Sequence, residues 1–484
     1  MASYPQDLLF IGGEWVAPAS TERITVVSPH TESVISEVSA AAAADIDAAV
    51  GAAREAFDRG PWPHLDVAQR IEAIGRLMTL YGEQADQLAA TITAETGAPI
   101  SFSRRAQVGL PQFIMSTFAE LAAQFPWQEE RPGAYSAPVH LRREPVGVVA
   151  AVVPWNMPQF LVITKVVPAL LAGCSVILKP APESPLNALA LAELVKQADL
   201  PRGVFSVVPA EREVSHSLVA HRGVDKVSFT GSTAVGRQIA ETCGRNLTRV
   251  SLELGGKSVA IVLDDADPQV AAAAVRMSGI GMAGQICNSL TRVLVPRAQL
   301  DHHTEALVAT MSDVRIGDPA DPQTQMGPLI SQRQQQRVWD YIDRGCAEGA
   351  KLALGGTGRP AGIDRGWYAK PTVFTGVANA MTIAQEEIFG PVTCVIPYGD
   401  EVEAIEIAND SEYGLAGSVF TADDDRGLEV ARRVRTGTFG INQGYPMDPA
   451  APFGGVKASG YGRELGREGI EGYTETKSIS VAGA

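Results

Sequence analysis

Apolar positions change period along the chain, and each change marks a predicted element. Short β-like runs at residues 8–11 and 24–27 flank the turn signal Gly12-Gly13. Over residues 45–96, Ala, Leu and Ile recur at three-to-four spacing, which predicts helix, with Gly97 as its stop. Between Val146 and Leu263 two periods alternate. Residues 146–153 form a short, continuous, β-branched apolar run, the pattern of a strand buried on both faces. Residues 160–171 read as helix, 175–178 as strand, 187–198 as helix and 204–208 as strand. A further helix, a strand at 226–229 and a helix over 233–243 follow. Repeated β-α-β units imply a parallel, doubly wound sheet with its ligand crevice beyond the carboxyl ends of the strands.

A second alternating region begins with the strand at 259–263. Asp267 can cap and Pro268 can take the first position of a helix that runs towards Gly284. Alternation continues to about Gly440 and includes a strand at 393–396. The last segment, 476–481, alternates like an edge strand, which needs cover; another subunit is one way to supply it. The fold class expected is α/β, with two α/β domains and no internal repeat.

Length and charge narrow the function. A chain of 484 residues suits two or three domains. Its net charge of −15 argues against nucleic acid or an anionic membrane as the main partner. Five widely spaced cysteines exclude a disulfide framework and fit a reducing compartment. No pair has zinc-ligand spacing and the histidines are scattered, so no metal site is expected. The start lacks the basic and apolar regions of a signal peptide. The uncharged stretch 145–164 contains Pro145, Pro154 and Pro158, and reads as a buried strand and helix, not a membrane span. A cytoplasmic protein is expected.

Four features can carry chemistry. Gly231 to Gly236 follow a strand and open a helix, where backbone N–H groups can bind phosphate. The segment matches neither the dinucleotide fingerprint nor a P-loop, so an ordinary strand-helix turn is the plain alternative. Glu253, ending a buried strand beside Gly255 and Gly256, can be a general base raised by desolvation, or simply a solvated turn residue. Cys287 ends the predicted helix among Gln285, Asn288 and Ser289, polar neighbours that suit a partly exposed, ionisable thiol. The other four cysteines read as inert small hydrophobes. Asn156 stands at a strand's carboxyl end, where its amide can donate to an oxyanion or else cap the next helix.

Together these residues, in this order and spacing, resemble the aldehyde dehydrogenase superfamily. The resemblance covers nearly the whole chain, from Ile11-Gly12-Gly13-Glu14-Trp15 through Pro154-Trp155-Asn156, Lys179-Pro180-Ala181, Phe229-Thr230-Gly231-Ser232-Thr233 and Glu253-Leu254-Gly255-Gly256-Lys257. It continues with Gly284-Gln285-Ile286-Cys287, Glu386-Glu387-Ile388-Phe389-Gly390-Pro391, Pro452-Phe453-Gly454-Gly455 and Gly460-Tyr461-Gly462-Arg463-Glu464. It implies two doubly wound parallel-sheet domains plus a small β oligomerisation arm. Residues 1–122 and 146–255 would bind the dinucleotide, 256–458 would be catalytic, and 123–145 with 459–484 would bridge subunits.

The resemblance also implies roles. Cys287 would attack the aldehyde carbon, with Asn156 holding the oxyanion and Glu253 activating water to hydrolyse the thioester. Lys165 and Glu464 match positions that assist proton relay. Lys179 would reach the adenosine ribose and Ser232, with Gly231, the pyrophosphate. Glu387 would hold the nicotinamide ribose beside Phe389, and Trp155 and Leu254 would border the cofactor. NAD is the expected cofactor, with NADP possible. Pro182 stands where NAD-preferring members often carry a ribose-binding Glu, with Glu183 next, and Pro209-Ala210-Glu211-Arg212 replaces a frequent Gly-containing loop. Arg249, Arg463 and Glu475 match a charged cluster near the subunit boundary. With the tail and the extended segment 137–141, they suggest strand exchange in a homodimer or homotetramer.

Two other functions remain open: a CoA-acylating semialdehyde dehydrogenase, which Glu253 disfavours, and a catalytically silent binding protein on this scaffold. The substrate positions, Met157, Phe160, Ile286, Tyr445 and Met447, are apolar or aromatic without Arg or Lys. They favour a medium-chain aliphatic or aromatic aldehyde over an anionic semialdehyde.

Overall fold

A computed structural model describes residues 4–134, 137–444 and 447–481. The first sheet has eight strands in the order Gly460–Tyr461, Arg249–Glu253, Lys226–Thr230, Val148–Val152, Ser175–Lys179, Phe205–Val207, Leu9–Ile11, Glu14–Val16. Its central five are parallel, while the outer strands pair antiparallel. Chain order among the parallel strands reverses between Val148–Val152 and Lys226–Thr230. Loops at such a reversal diverge to opposite faces and leave a crevice. Every residue of these two strands is buried; Val148–Val152 is a continuous apolar run, as helices on both faces require, while Lys226–Thr230 also buries Lys226, Ser228 and Thr230.

The helix Pro158–Ala172 follows the first of these strands and is buried at every position. Pro158 starts it, since a first-turn proline loses no helical hydrogen bond. Gly173, at φ +98°, ends it in the left-handed region, and the buried Arg70 donates from Nε to the Leu171 carbonyl (2.9 Å).

The second sheet runs Lys351–Leu354, Thr372–Thr375, Val392–Tyr398, Leu290–Pro296, Ser258–Val262, Ala416–Phe420, Thr438–Ile441. All pairs are parallel except the edge strand Lys351–Leu354. A third, antiparallel sheet joins Thr474–Ser480, Val139–Pro145 and Gln128–Arg131. The tail strand is therefore covered along one edge by its own chain. Among the described residues no helix is long and apolar enough to cross a membrane.

Several local expectations need correction. The helical stretch from Asp45 is three helices, Ala43–Arg59, Val67–Glu83 and Ala85–Thr96, with a short turn of helix at Trp62–His64. Pro61 and Pro63 force that break, because neither offers an N–H to a continuous helix. Gly97 does end the last helix, at φ +75°. The helix capped by Asp267 stops at Gly279, not near Gly284; a single 3₁₀ turn, Ile280–Met282, and the left-handed Ala283 follow. Cys346 is exposed, unlike the buried Cys174, Cys243 and Cys394.

Candidate active site

A cleft of about 1170 Å³ opens at the strand-order reversal. The loop after Val148–Val152 brings Trp155 and Asn156 to its wall, and the loop after Lys226–Thr230 brings Gly231 and Ser232. Leu254 follows the strand Arg249–Glu253, and Cys287, Glu387 and Phe389 close the opposite side. Ser232 caps the helix Thr233–Asn246 by accepting from the Val235 N–H (3.4 Å), which leaves the first N–H groups facing the groove.

The Cys287 loop is built by its neighbours. Gly284 has φ +77°, and a Cβ there would fall 2.0 Å from the Gly390 carbonyl oxygen, so only glycine fits. Gln285 is fully buried. It donates from Nε2 to the Met282 carbonyl (2.9 Å) and accepts from the Ile330 N–H (3.0 Å). Its own carbonyl accepts from Asn156 Nδ2 (2.8 Å), while the Asn156 carbonyl accepts from Gln107 Nε2 (2.9 Å). Asn156 is thus a brace with one amide N–H uncommitted, not the cap of the next helix. Ser289 is buried too and donates to the Ser278 carbonyl (3.1 Å). Gln285 and Ser289 hold the loop from inside, while Cys287 and Asn288 are partly exposed, as expected for the thiol.

Charge around the thiol is negative. Burial, then the carboxyls of Glu253 and Glu387, push the Cys287 thiol up to about 12. The readily ionised thiol expected from the sequence is therefore not present at rest: at neutral pH the free protein carries a thiol, not a thiolate. Glu253 is buried; its carboxyl oxygens have no well-aligned side-chain or backbone donor among the described residues, although the Gly455 N–H lies close enough to lower it somewhat. Burial first, and then the charge of Glu464, hold it well above the ordinary carboxyl range, with Lys165 and Arg463 opposing. Burial also raises Glu387 to about 7, although it accepts from the Gly256 N–H (3.1 Å).

Lys165 and Glu464 form a fully buried ion pair. Lys165 Nζ also donates to Thr230 Oγ1 (2.7 Å), and Thr164 donates to Glu464 (3.0 Å). Lys165 reaches this pair from the helix Pro158–Ala172, while Glu464 is held by a β-bridge to Phe453. Because Thr230 lines the cleft, the pair connects it to the Glu253 side.

The family model described as "Aldehyde dehydrogenase family" matches residues 15–479. The chain belongs to the aldehyde dehydrogenase family. A geranial dehydrogenase from Castellaniella defragrans is 44% identical over 98% of both chains. An aldehyde dehydrogenase from Mycobacterium tuberculosis, solved with NAD+, matches at TM-score 0.96 and 47% identity over 98% of both chains. A point variant of aldehyde dehydrogenase C from Pseudomonas syringae, solved with NAD+ and octanal, matches at TM-score 0.95 and 41% identity, covering 99% of this chain and 98% of that one. The reaction class is oxidation of an aldehyde to its acid with NAD(P)+.

In this aldehyde dehydrogenase the helix Gln332–Ala347 supplies a wall of the cleft that the sequence did not suggest. Arg337 donates to the Glu387 carbonyl (2.6 Å) and stacks on Tyr341 (4.9 Å), whose hydroxyl donates to Glu386 (2.5 Å). These contacts fix the segment carrying Glu387 and Phe389. Phe389 sits at φ +61°, costly for a bulky residue, and meets Trp155 edge-on with ring centroids 5.5 Å apart. Arg337 and Tyr341 are one helical turn apart, the only sequence sign of this role.

The structure separates the proposed charged cluster. Arg249 and Glu475 form a bidentate pair (2.6 and 3.0 Å). Arg463 instead donates to the Gly455 carbonyl (2.9 Å), on the Glu253 side. Around the cleft, Met157, Phe160, Leu161, Ile286, Met447 and Phe453 supply apolar surface. Tyr445 lies outside the described residues.

Proposed function

We propose that this aldehyde dehydrogenase uses Cys287 as nucleophile, Asn156 as oxyanion donor and Glu253 as general base. One observation carries the reading: the Cys287 thiol and an Asn156 amide N–H that is free among the described residues line one cleft, and the buried Glu253 carboxyl, outside that lining, is close enough to raise the thiol. Once ionised, Glu253, whose carboxyl is held well above the ordinary range and is therefore the more basic, takes the proton of the Cys287 thiol. The sulfur attacks the carbonyl carbon, and the oxygen gains a negative charge. The free Asn156 N–H and the Cys287 N–H, which has no acceptor among the described residues, can hold it.

A dinucleotide fits the cleft by volume and by the strand-order reversal, with Gly231, Ser232, Leu254, Trp155, Glu387 and Phe389 on its wall as the residues that hold it and Lys179, outside that lining at the end of the neighbouring strand, assigned to the adenosine ribose. When bound, its nicotinamide supplies the hydride acceptor. An aldehyde hydrogen leaves as hydride only when an electron-rich oxygen shares its carbon, which is why the sulfur adds first. The carbon is then a thioester on Cys287. Glu253 first passes the thiol proton onward through the adjacent Glu464 and Lys165. It then takes a proton from water, the hydroxide attacks, and that proton returns to the sulfur as the acid leaves.

Glu253 favours water over CoA as acyl acceptor. The apolar lining favours a medium-chain aliphatic or aromatic aldehyde, in line with the names of the geranial and octanal relatives. Of the arginines on the cleft wall, Arg337 donates to the Glu387 carbonyl, Arg333 lies 3.9 Å from Glu183, and Arg344 stacks on Tyr341. The first sheet takes its strands from residues 9–253 together with Gly460–Tyr461, and the second from residues 258–441, which supports a dinucleotide-binding unit of 1–122 and 146–255 and a catalytic unit of 256–458. Segments 123–145 and 459–484 are assigned to bridging in a homodimer or homotetramer, and the protein to the cytoplasm, as part of the proposal. The test is NADH production with a panel of aldehydes and no CoA. Turnover of octanal-like or aromatic aldehydes is expected; a CoA requirement or a clear preference for an anionic semialdehyde would contradict the reading.

A further inference from the structure

The chain from Ile100 to Gln124 is one helical run, but its turns are not uniform. Residues Ser103–Gly109 form a wider π turn, in which the Leu110 N–H reaches back to the Arg105 carbonyl. The sequence supplies a cause. Pro111 has no N–H to give, and in a regular helix its ring would strike the carbonyl four residues earlier, that of Gln107. The widened turn relieves that clash. Single π turns inside helices are rare and occur often at functional sites.

Gln107 is fully buried on this turn. Its Nε2 donates to the Asn156 carbonyl (2.9 Å) and lies 3.9 Å from the Met282 sulfur. Met282 ends the 3₁₀ turn Ile280–Met282 that leads into the Cys287 loop. A Cβ on Gly281 would fall 2.4 Å from the Phe102 ring, so the start of the helical run packs directly on that turn. These contacts close a circuit. Asn156 Nδ2 donates to the Gln285 carbonyl (2.8 Å), Gln285 Nε2 donates to the Met282 carbonyl (2.9 Å), and Met282 meets Gln107 again.

Gln107 is only half satisfied within the circuit: its Oε1 is buried without a hydrogen-bond partner among the described residues. A packing role alone favours an apolar side chain, because a buried amide oxygen without a donor costs stability. The donor half is what the site uses. One bond from Nδ2 to Gln285 leaves the Asn156 amide able to swing about it. A second hold, on the Asn156 main chain, fixes where the strand-end loop stands, and the two together aim the remaining N–H. An oxyanion donor stabilises developing charge only when it is aimed in advance.

We propose that Gln107 is a positioning residue for the oxyanion, acting through Asn156 by fixing the direction of that residue's free N–H. The proposal rests on the reading of Asn156 as oxyanion donor. Gln107 itself lies outside the lining of the cleft.

The experiment is a double-mutant cycle on the whole enzyme. Gln107→Met keeps the length and packing of the side chain without the donor, and Gln107→Asn keeps the amide but falls one methylene short. The rate of the first NADH turnover is read with octanal at saturating NAD+. NAD+ affinity and alkylation of Cys287 by iodoacetamide at about pH 9 are read beside it. Alkylation forms no oxyanion, so it reports the thiol loop alone. Both variants are expected to slow the first turnover by about tenfold, with NAD+ affinity and alkylation within about twofold of native. In Asn156→Ala, itself slowed by about 100-fold, adding Gln107→Met should cost less than about twofold more. A native first-turnover rate in either Gln107 variant would overturn the proposal. So would alkylation that falls in step with turnover, or a full further loss on top of Asn156→Ala, since Gln107 would then act on the thiol loop or on the fold. If Asn156→Ala kept the native rate, the oxyanion reading itself would fail, and this proposal with it.

Discussion

At the scale of single residues, the main consequence of the geometry is a sleeping thiol. Set beside two carboxyls, Cys287 is protonated at neutral pH in the free enzyme. Its alkylation by iodoacetamide should therefore climb about tenfold per pH unit up to at least pH 10, with exposed Cys346 labelled first at pH 7. Peptide mapping of the labelled cysteines checks both orders; fast labelling of Cys287 at pH 7 would contradict the electrostatics. Glu387→Gln removes one of the opposing charges and should speed the reaction at every pH in that range. Asn156→Ala should cost about 3 kcal/mol in the barrier, read as kcat/KM, because it removes an oxyanion donor. These residues were legible in the sequence in kind and order. Their environment was not: Gln285 and Ser289 looked like surface polarity, yet both are buried braces whose partners, Met282, Ile330 and Ser278, come from folded segments no local pattern reveals.

At the scale of elements, helix ends set the site, and one end is capped from a distance. The helix Leu186–Gln197 has no side-chain cap of its own. Its first N–H groups, from Leu186 and Asn187, donate to buried Glu95 (2.9 and 3.1 Å) on the helix Ala85–Thr96. Glu95→Ala leaves these donors without a partner and should destabilise the fold by about 1–3 kcal/mol, measured by urea unfolding, while leaving the Cys287 alkylation profile unchanged. The strands of both sheets were legible because β-branched runs such as 146–153 are short and continuous. The stop at Gly279 was not, because apolar residues continue to Ile286 and only the tertiary contact of Gly284 with Gly390 decides where the chain leaves the helix.

At the scale of the whole molecule, two sheets meet around one cleft, and buried carboxyls link its chemistry to stability. Burial raises Glu95 to about 8 and Glu387 to about 7. The folded state thus keeps protons that the unfolded chain releases. That contribution is full below the ordinary carboxyl value and is lost as pH rises through 7 to 8. Thermal scans should show Tm falling over this window, with a smaller fall in Glu387→Gln. The three-stranded sheet leaves the outer edge of Gln128–Arg131 without a strand partner among the described residues. Light scattering should give the mass of two or four chains; a monomer would remove the bridging role assigned to 123–145 and 459–484.

The covalent bond on Cys287 is most directly read by mass spectrometry of enzyme quenched during turnover. With Glu253→Gln, NAD+ and octanal at about pH 9–10, where the thiol ionises without Glu253, one burst of NADH per active site is expected. The Cys287 peptide should then carry the acyl mass, and Cys287→Ala should bind NAD+ but show neither burst nor adduct. Acid formation without an adduct, or an acyl group on any other residue, would contradict the account.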